Sequence, residues 1–380
     1  MNFSLKFWKI SAVFVFSLFL LPALTQAQHY KQTNLVSDVV GMAPTIDPNL
    51  KNPWGLTRSS GSPWWIGNNN SGTSTLYTGA GAIIPLVVTV PPPKGSPAGT
   101  MSTPTGVVFN GSATDFLVAP GASAHFIFAT EDGTISGWAG GQNAVLVVDN
   151  SDNGSANGAV YKGATTGEIN GDKFLYVTNF RSAKVEVYDT NFKRVRLGEG
   201  VFDPDGDGDH DDDDRGAAHV PRGFAPFNVQ NIGGSLFVTY AKQDALRHDP
   251  VGGDGLGFVE IFTLAGKKIG HLEHGDWMNA PWGVVWTTRD FGGFANSILV
   301  GNFRSGWIAA FNGFTHKFIG WVRNPDDSLV TIDGLWSLTF ANDGTAGLAN
   351  TLYFTAGPNG EQDGLFGTLT PVDGLDGSVE

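Results

Sequence analysis

Short apolar runs recur along most of the chain, each followed by a polar turn and a second apolar run. Trp64-Trp65-Ile66, Phe126-Ile127-Phe128, Phe174-Leu175-Tyr176-Val177, Leu236-Phe237-Val238, Ile298-Leu299-Val300 and Leu352-Tyr353-Phe354 are the clearest. Runs this short, β-branched or aromatic and bounded by Gly, Asn, Asp and Pro, predict strands joined by tight turns. Upstream of each lies a marker that aligns with the others: Pro53-Trp54-Gly55, Pro104-Thr105-Gly106, Tyr161-Lys162-Gly163, Pro226-Phe227-Asn228, Pro281-Trp282-Gly283 and Leu335-Trp336-Ser337. The markers are spaced 51 to 65 residues apart. The longest interval holds a twelve-residue acidic segment whose removal restores the common period. Six units of about four strands predict an all-β fold, a six-bladed β-propeller.

Five units also show a fourth, outer strand: Leu86–Val90, Val145–Val148, Val195–Leu197, Ile269–Leu272 and Phe318–Val322. The sixth ends with its third strand, Gly364–Thr370, and a tail at 373–378. Thr33–Val39 has no unit of its own, so the N-terminal strand is expected to complete the sixth blade and close the ring. Left open, that blade would present a row of free backbone donors and acceptors.

Composition supports this class. Fifty-two glycines and twenty prolines, with few helix-forming runs, disfavour long helices. Met1–Ala27 carries Lys6 and Lys9, an apolar stretch Ile10–Leu21 and the small-residue end Thr25-Gln26-Ala27, which predicts a secretory signal peptide over 1–27 and a single domain over 28–380. The apolar stretch is shorter than the ~20 residues a membrane span needs. No cysteine is present, so neither a lipoprotein attachment site nor a disulfide framework is expected. The expected setting is extracytoplasmic, secreted or periplasmic, as a monomer with no membrane span once the signal is removed. The formal net charge of −13 becomes about −15 without the leader's two lysines, which argues against nucleic acid as a partner.

Several longer motifs resemble a known family: Asn52–Leu56, Phe128–Ile135, Ala225–Ile232, Tyr240–Asp244 and Phe354–Glu361. They are similar to those of a family of uncharacterised exported bacterial proteins, some of whose members carry a C-terminal PEP-CTERM sorting tail. The resemblance covers nearly all of the chain after the leader and implies export but no biochemical activity. The chain departs from the family in ending at Glu380 without a sorting tail and in its acidic segment. The repeat is also distantly similar to NHL-type six-bladed propellers, whose inner strands begin with a like Pro-x-Gly.

In a propeller the loop entering each inner strand and the turn between second and third strands open on one face. The first set places Trp54, Thr105, Lys162, Phe227, Trp282 and Trp336 around the channel mouth. The second places Asn68–Asn70, Glu131-Asp132, Asn179–Arg181, Lys242–Asp244, Asn302–Arg304 and Asn359–Glu361 around its rim. The aromatic set either fills the core or forms a stacking platform. Lys162 must snorkel out, pair with Glu131 or Asp333, or await an anionic or π-rich ligand. Arg181 and Arg304, with Lys242 between them in sequence, either recognise carboxylate or phosphate or tie their own turns to neighbouring blades through a carboxylate. The expected ligand-binding set is thus Trp54, Glu131, Lys162, Arg181, Lys242, Trp282, Arg304 and Trp336. The partner class is a small molecule, a glycan or an extracytoplasmic protein.

The chief functional expectation is a non-catalytic binding or scaffold propeller. The alternative is a metal-dependent hydrolase of the lactonase or gluconolactonase type, with channel oxygens from Glu131, Asn179, Asn228, Asn302 and Asp333. The histidines show no paired metal spacing. No Gly-x-Ser-x-Gly elbow, cysteine nucleophile or phosphate loop occurs. The acidic segment Asp203–Asp214 places Asp203, Asp205, Asp207, Asp209, Asp211 and Asp214 at positions 1, 3, 5, 7, 9 and 12 of a loop with Gly208 at position 6. That spacing suits Ca2+, without the flanking helices of an EF-hand. The competing reading is a solvated acidic run.

Overall fold

The computed structural model describes residues 29–198, 200–204 and 220–372. The expected leader 1–27 and all of the acidic loop beyond Pro204 lie outside these residues. Six antiparallel sheets form the ring, one from each unit. Their inner strands are Pro53–Thr57, Pro104–Phe109, Tyr161–Ile169, Phe224–Ile232, Pro281–Trp286 and Leu335–Phe340. In the first five blades the chain then meanders outward to Ile83–Thr89, Val145–Asp149, Arg194–Val195, Lys268–His271 and Phe318–Trp321.

The sixth blade is closed from the other end of the chain. Tyr30–Ser37 runs antiparallel to Leu365–Pro371, from Tyr30 opposite Pro371 to Ser37 opposite Leu365, with an irregularity at Asn34/Val36. The closing strand therefore starts three residues earlier than the apolar pattern predicts. Tyr30 is the reason: it is fully buried and stacks on Phe291 and Phe294 of the fifth blade. A short fifth strand, Thr45–Ile46, pairs in parallel with Val36 and Ser37 and covers the sheet's new edge. The third blade's outer strand is Arg194–Val195, not Val195–Leu197.

The marker glycines have a packing cause. A Cβ on Gly106 would stand 2.6 Å from Ala164 N, and one on Gly283 would stand 2.6 Å from Trp336 O. Neighbouring inner strands approach so closely around the channel that a side chain there would force them apart. Where the marker residue is Asn228, its side chain donates to Trp282 O at 2.9 Å and stitches the fourth blade to the fifth. Similar stitches run from Thr105 Oγ1 to Tyr161 O (2.9 Å) and from Thr355 Oγ1 to Trp54 O (2.6 Å). Apolar clusters fill the wedges between blades, and one of them occupies the channel itself. Among the described residues no helix is long and apolar enough to cross a membrane.

Candidate functional site

Each inner strand carries a register irregularity at its marker, for example between Tyr161 and Gly163, Pro226 and Asn228, and Pro281 and Gly283. A bulge bends the strand and re-aims the extra side chain. Here it sends the middle residue of each marker inward. The rim turns are then drawn onto the mouth by backbone bonds from Asn69 N to Asn52 O, Glu131 N to Thr103 O, Phe180 N to Val160 O and Phe303 N to Ala280 O.

Trp54, Trp282 and Trp336 meet with Phe180, Phe227 and Phe303 in one buried cluster. Trp336 stacks between Trp54 (3.5 Å between ring centroids) and Phe303 (3.9 Å), while Trp282 lies edge-on to both tryptophans. None of the three tryptophans is more than 4 % exposed, so the set plugs the channel and does not form an open stacking platform. Two indole N–H groups are satisfied, Trp282 by Lys162 O at 3.0 Å and Trp336 by Asn52 Oδ1 at 2.9 Å. Trp54 Nε1 is buried and finds no hydrogen-bond acceptor among the described residues.

Lys162 occupies the third blade's place in this ring and is fully buried. Its Nζ lies 5.1 Å from the centroid of the Trp54 ring and 5.7 Å from that of Phe180. It pairs with Glu131, the first of the partners expected for it, and with Asp249 at 3.4 Å. Asp333, the other expected partner, instead accepts from Asn359 N at 2.9 Å. Glu131 also accepts from Asn69 Nδ2 at 2.7 Å, so both of its oxygens are engaged. A buried ammonium with two carboxylates and two aromatic faces has the compensation that burial of a charge demands.

Asp249 arrives on a strap that is the longest of the six connections between second and third strands. The connection between second and third strands spans three residues in the second blade (131–133), but thirteen in the fourth (244–256). Asp244 shapes the strap's first turn by accepting from His248 N and Asp249 N. Arg304 holds the strap from the fifth blade, donating to Pro250 O from Nε (3.3 Å) and Nη2 (3.0 Å). His248 Nδ1 hydrogen-bonds Asp249 Oδ1 at 2.9 Å. That bond, and then Lys162, hold the Asp249 carboxyl well below the usual range, and the same bond raises His248. Across the mouth, burial and the nearby Glu131 push Glu361 up, against the Asn52 hydrogen bond and the charges of Lys162 and Arg304.

Although the histidines show no paired metal spacing in the sequence, the fold brings His248 to two carboxylates. Glu131, His248 and Asp249 each offer one ligand atom, all within 4.8 Å of one another. The cation already bound to both carboxylates there is the Lys162 ammonium. The oxygens first considered for a hydrolase centre do not converge. Asn179 bonds Glu186 and Val160 N, Asn302 bonds Asn279 N and Trp277 O, and Asn228 and Asp333 are engaged as described.

Arg181, Lys242 and Arg304 lie at the same end of their blades as Lys162, but they do not gather into one anion site. Arg181 turns onto the carbonyls of Gly158 (2.8 Å) and Ser155 (3.4 Å), and Lys242 is exposed. Both arginines thus tie turns, and they do so through backbone oxygens instead of carboxylates. Of the expected calcium ligands only Asp203 is described; Asp205, Asp207, Asp209, Asp211 and Asp214 lie outside the described residues. The stem leading to them is anchored on the fourth blade, with Phe202 N bonded to Gly266 O at 2.8 Å and Lys268 Nζ to Pro204 O at 2.5 Å.

This geometry defines a six-bladed β-propeller with a plugged channel and a charged mouth. No family model matches the chain. It is 30 % identical over 356 residues to the uncharacterised protein R648 of Acanthamoeba polyphaga mimivirus, spanning 90 % of this chain and 80 % of that protein. It is 26 % identical over 355 residues to the uncharacterised protein L690 of the same virus, spanning 90 % and 85 %. The chain belongs to the family of the mimivirus protein R648. Among solved structures, a Bacteroides thetaiotaomicron protein of unknown function superimposes with a TM-score of 0.52 at 9 % identity, over 90 % of this chain and 76 % of that one. A streptogramin B lyase gives 0.45 at 11 %, over 90 % and 97 %. At such identity the Bacteroides likeness shows the fold alone.

Proposed function

We propose that the chain is a non-catalytic binding propeller that takes a small polar ligand at the channel mouth. The observation that carries this is the buried Lys162–Glu131–Asp249 group, seated where four of the other five blades put an aromatic side chain and covered by the longest of the six rim connections. A frame built by repetition needs no such group, so its presence points to a role beyond closure of the ring. We place the protein outside the cytoplasm on the strength of its leader and of its resemblance to the exported bacterial family. We assign Ca2+ to the loop beginning at Asp203, on its carboxylate spacing.

The test is a ligand screen on the folded chain by saturation-transfer NMR, with saccharides, amino acids, polyamines and organic acids. Hits should change in affinity at least about tenfold in Glu131→Gln or Glu361→Gln, weaker for cationic ligands and tighter for anionic ones, since each removes a mouth carboxylate. An empty screen, or hits indifferent to both changes, would overturn the reading.

One observation favours a metal-dependent hydrolase, namely the Glu131–His248–Asp249 group. Against it, a divalent ion in that place would have to displace the ammonium bound to both carboxylates, at strong like-charge repulsion. Zn2+ or Mn2+ titration separates the two: stoichiometric uptake lost in His248→Gln would favour the hydrolase.

A further inference from the structure

We infer that Asp249 is a tethered stand-in for a ligand's carboxylate, and that the mouth takes a carboxylate-bearing small molecule which displaces the 244–256 strap from Lys162. This rests on the reading of the mouth as a binding site and names its ligand class.

The two carboxylates on Lys162 are unlike. Glu131 belongs to the blade frame, its side chain is 10 % exposed and its second oxygen is fixed by Asn69. Asp249 belongs to the strap, its side chain is 59 % exposed and its oxygen stands 3.4 Å from Nζ. That separation is beyond the range of a close charge-assisted bond. The inner contact is structural, and the outer one is replaceable by a group of the same charge and shape.

The strap's attachments suit release. Only Pro250–Val251 pairs with the sheet, opposite Gln243 and Lys242. The segment that follows is Gly252-Gly253-Asp254-Gly255, with positive φ at Gly253 and Gly255. Apart from those pairings, its middle is held by the Arg304 bond to Pro250 O and a bond from Gly253 N to Asn279 Oδ1 at 2.8 Å. Its far end is anchored by Ala280 N to Leu256 O at 3.1 Å and by a 3.0 Å hydrogen bond between His274 Nε2 and Gly255 O, so that release concerns the segment ahead of Gly255. Freed from Pro250 O, the Arg304 guanidinium becomes a second cation for the incoming anion, with geometry suited to a carboxylate.

A second, independent observation points to the same ligand. Of the plug's three indole N–H groups, that of Trp54 alone lacks an acceptor among the described residues, and the Trp54 ring is the one over which Lys162 Nζ lies at 5.1 Å. A buried donor without a partner calls for an explanation. A carboxylate brought to Lys162 would lie against the ring that carries this unmet donor, and Asp249 in the present arrangement does not meet it.

The experiment uses the folded chain with acetate, succinate and benzoate as probes and acetamide as the uncharged control, at constant ionic strength. Calorimetric titration should show Asp249→Asn binding the carboxylates about tenfold more tightly than wild type, and acetamide unchanged. Lys162→Met, made together with Glu131→Gln so that no buried charge is left unpaired, should abolish carboxylate binding. In wild type, the amide resonances of 244–256 and the Trp54 indole N–H should shift together as succinate is added, a readout that needs no variant to fold. Equal affinity in wild type and Asp249→Asn, retention in the double variant, or a strap whose resonances do not move would each overturn the inference. If uncharged ligands bind the mouth and carboxylates do not, the inference falls and the binding reading stands. If nothing binds there, both fall.

Discussion

Closure of the ring through Tyr30 gives the sharpest test of the architecture. Tyr30 is fully buried, with its ring 4.7 Å from that of Phe291 and 5.9 Å from that of Phe294. Its hydroxyl donates to Phe291 O at 3.0 Å and accepts from Phe294 N at 3.3 Å, so the first residue of the closing strand clasps the fifth blade as well as the sixth. Burial raises the phenol's pKa, which keeps it neutral across the useful pH range. Tyr30→Ala removes the ring and leaves a cavity, a loss of about 3–5 kcal/mol. Tyr30→Phe keeps the packing but strands a buried carbonyl and N–H, a loss of about 1–3 kcal/mol. With an unfolding entropy near ~2.1 cal/mol/K per residue, a domain of about 340 residues loses on the order of 1.4 °C in Tm per kcal/mol. The expected drops are therefore about 4–7 °C for Tyr30→Ala and about 1–4 °C for Tyr30→Phe. Deletion of 29–37 should do more, because it also bares the Leu365–Pro371 edge, and aggregation on heating should accompany it. Scanning calorimetry of the variants is the assay. A Tyr30→Ala protein melting within about 1 °C of wild type would show that the N-terminal strand does not hold the ring.

Gly283→Ala should lower stability by about 1–3 kcal/mol, because its Cβ would stand 2.6 Å from Trp336 O; an unchanged urea midpoint would refute the close-packing account of the marker glycines. The His248–Asp249 pair predicts a pH dependence with a definite sign. His248 is raised, so its contribution is full below the ordinary histidine value and fades as pH rises through its folded value; Asp249 is lowered, so its contribution is full above the ordinary carboxylate value and fades as pH falls through its folded value. The stability difference between wild type and His248→Gln should accordingly be larger near pH ~5.5 than at ~8.5, and a difference that grows with pH would contradict the pairing. Calcium titration should give a dissociation constant on the order of 0.1–1 mM in wild type and no uptake in a variant with Asp203, Asp205 and Asp207 changed to Asn; equal uptake by both would remove the site.

The sequence made the frame legible because the frame is a repeat. Gly106 and Gly283 mark inner strands for a reason any alignment of the units exposes: neighbouring backbones leave no room for a Cβ. The need for an N-terminal closing strand followed from counting, since the sixth unit shows three strands of its own. The strand's start could not be read, because Tyr30 belongs to it through contacts with Phe291 and Phe294, which lie more than 250 residues away. The arginine turns were misread in one respect for a simple cause. Arg181 and Arg304 bond backbone carbonyls, which carry no mark in the sequence.

The site divides along the same line. Lys162 and Glu131 were visible because each sits at a position the repeat defines, one in the marker and the other in the rim turn. Asp249 and His248 were not, because they lie in a connection much longer than its counterparts, where the repeat defines no positions. The two departures from the repeat nevertheless depend on each other. A lysine put where four other blades place an aromatic ring buries a charge, and Glu131 alone compensates it through one oxygen. The strap supplies a second carboxylate from outside the frame, and with it the cover that leaves Lys162 inaccessible. A core lysine needed only for packing would be served equally by leucine or methionine, without a thirteen-residue connection to cover it. That both exceptions meet at one ammonium, beside an indole N–H with no acceptor among the described residues, is what a site grafted onto a repeated frame would produce.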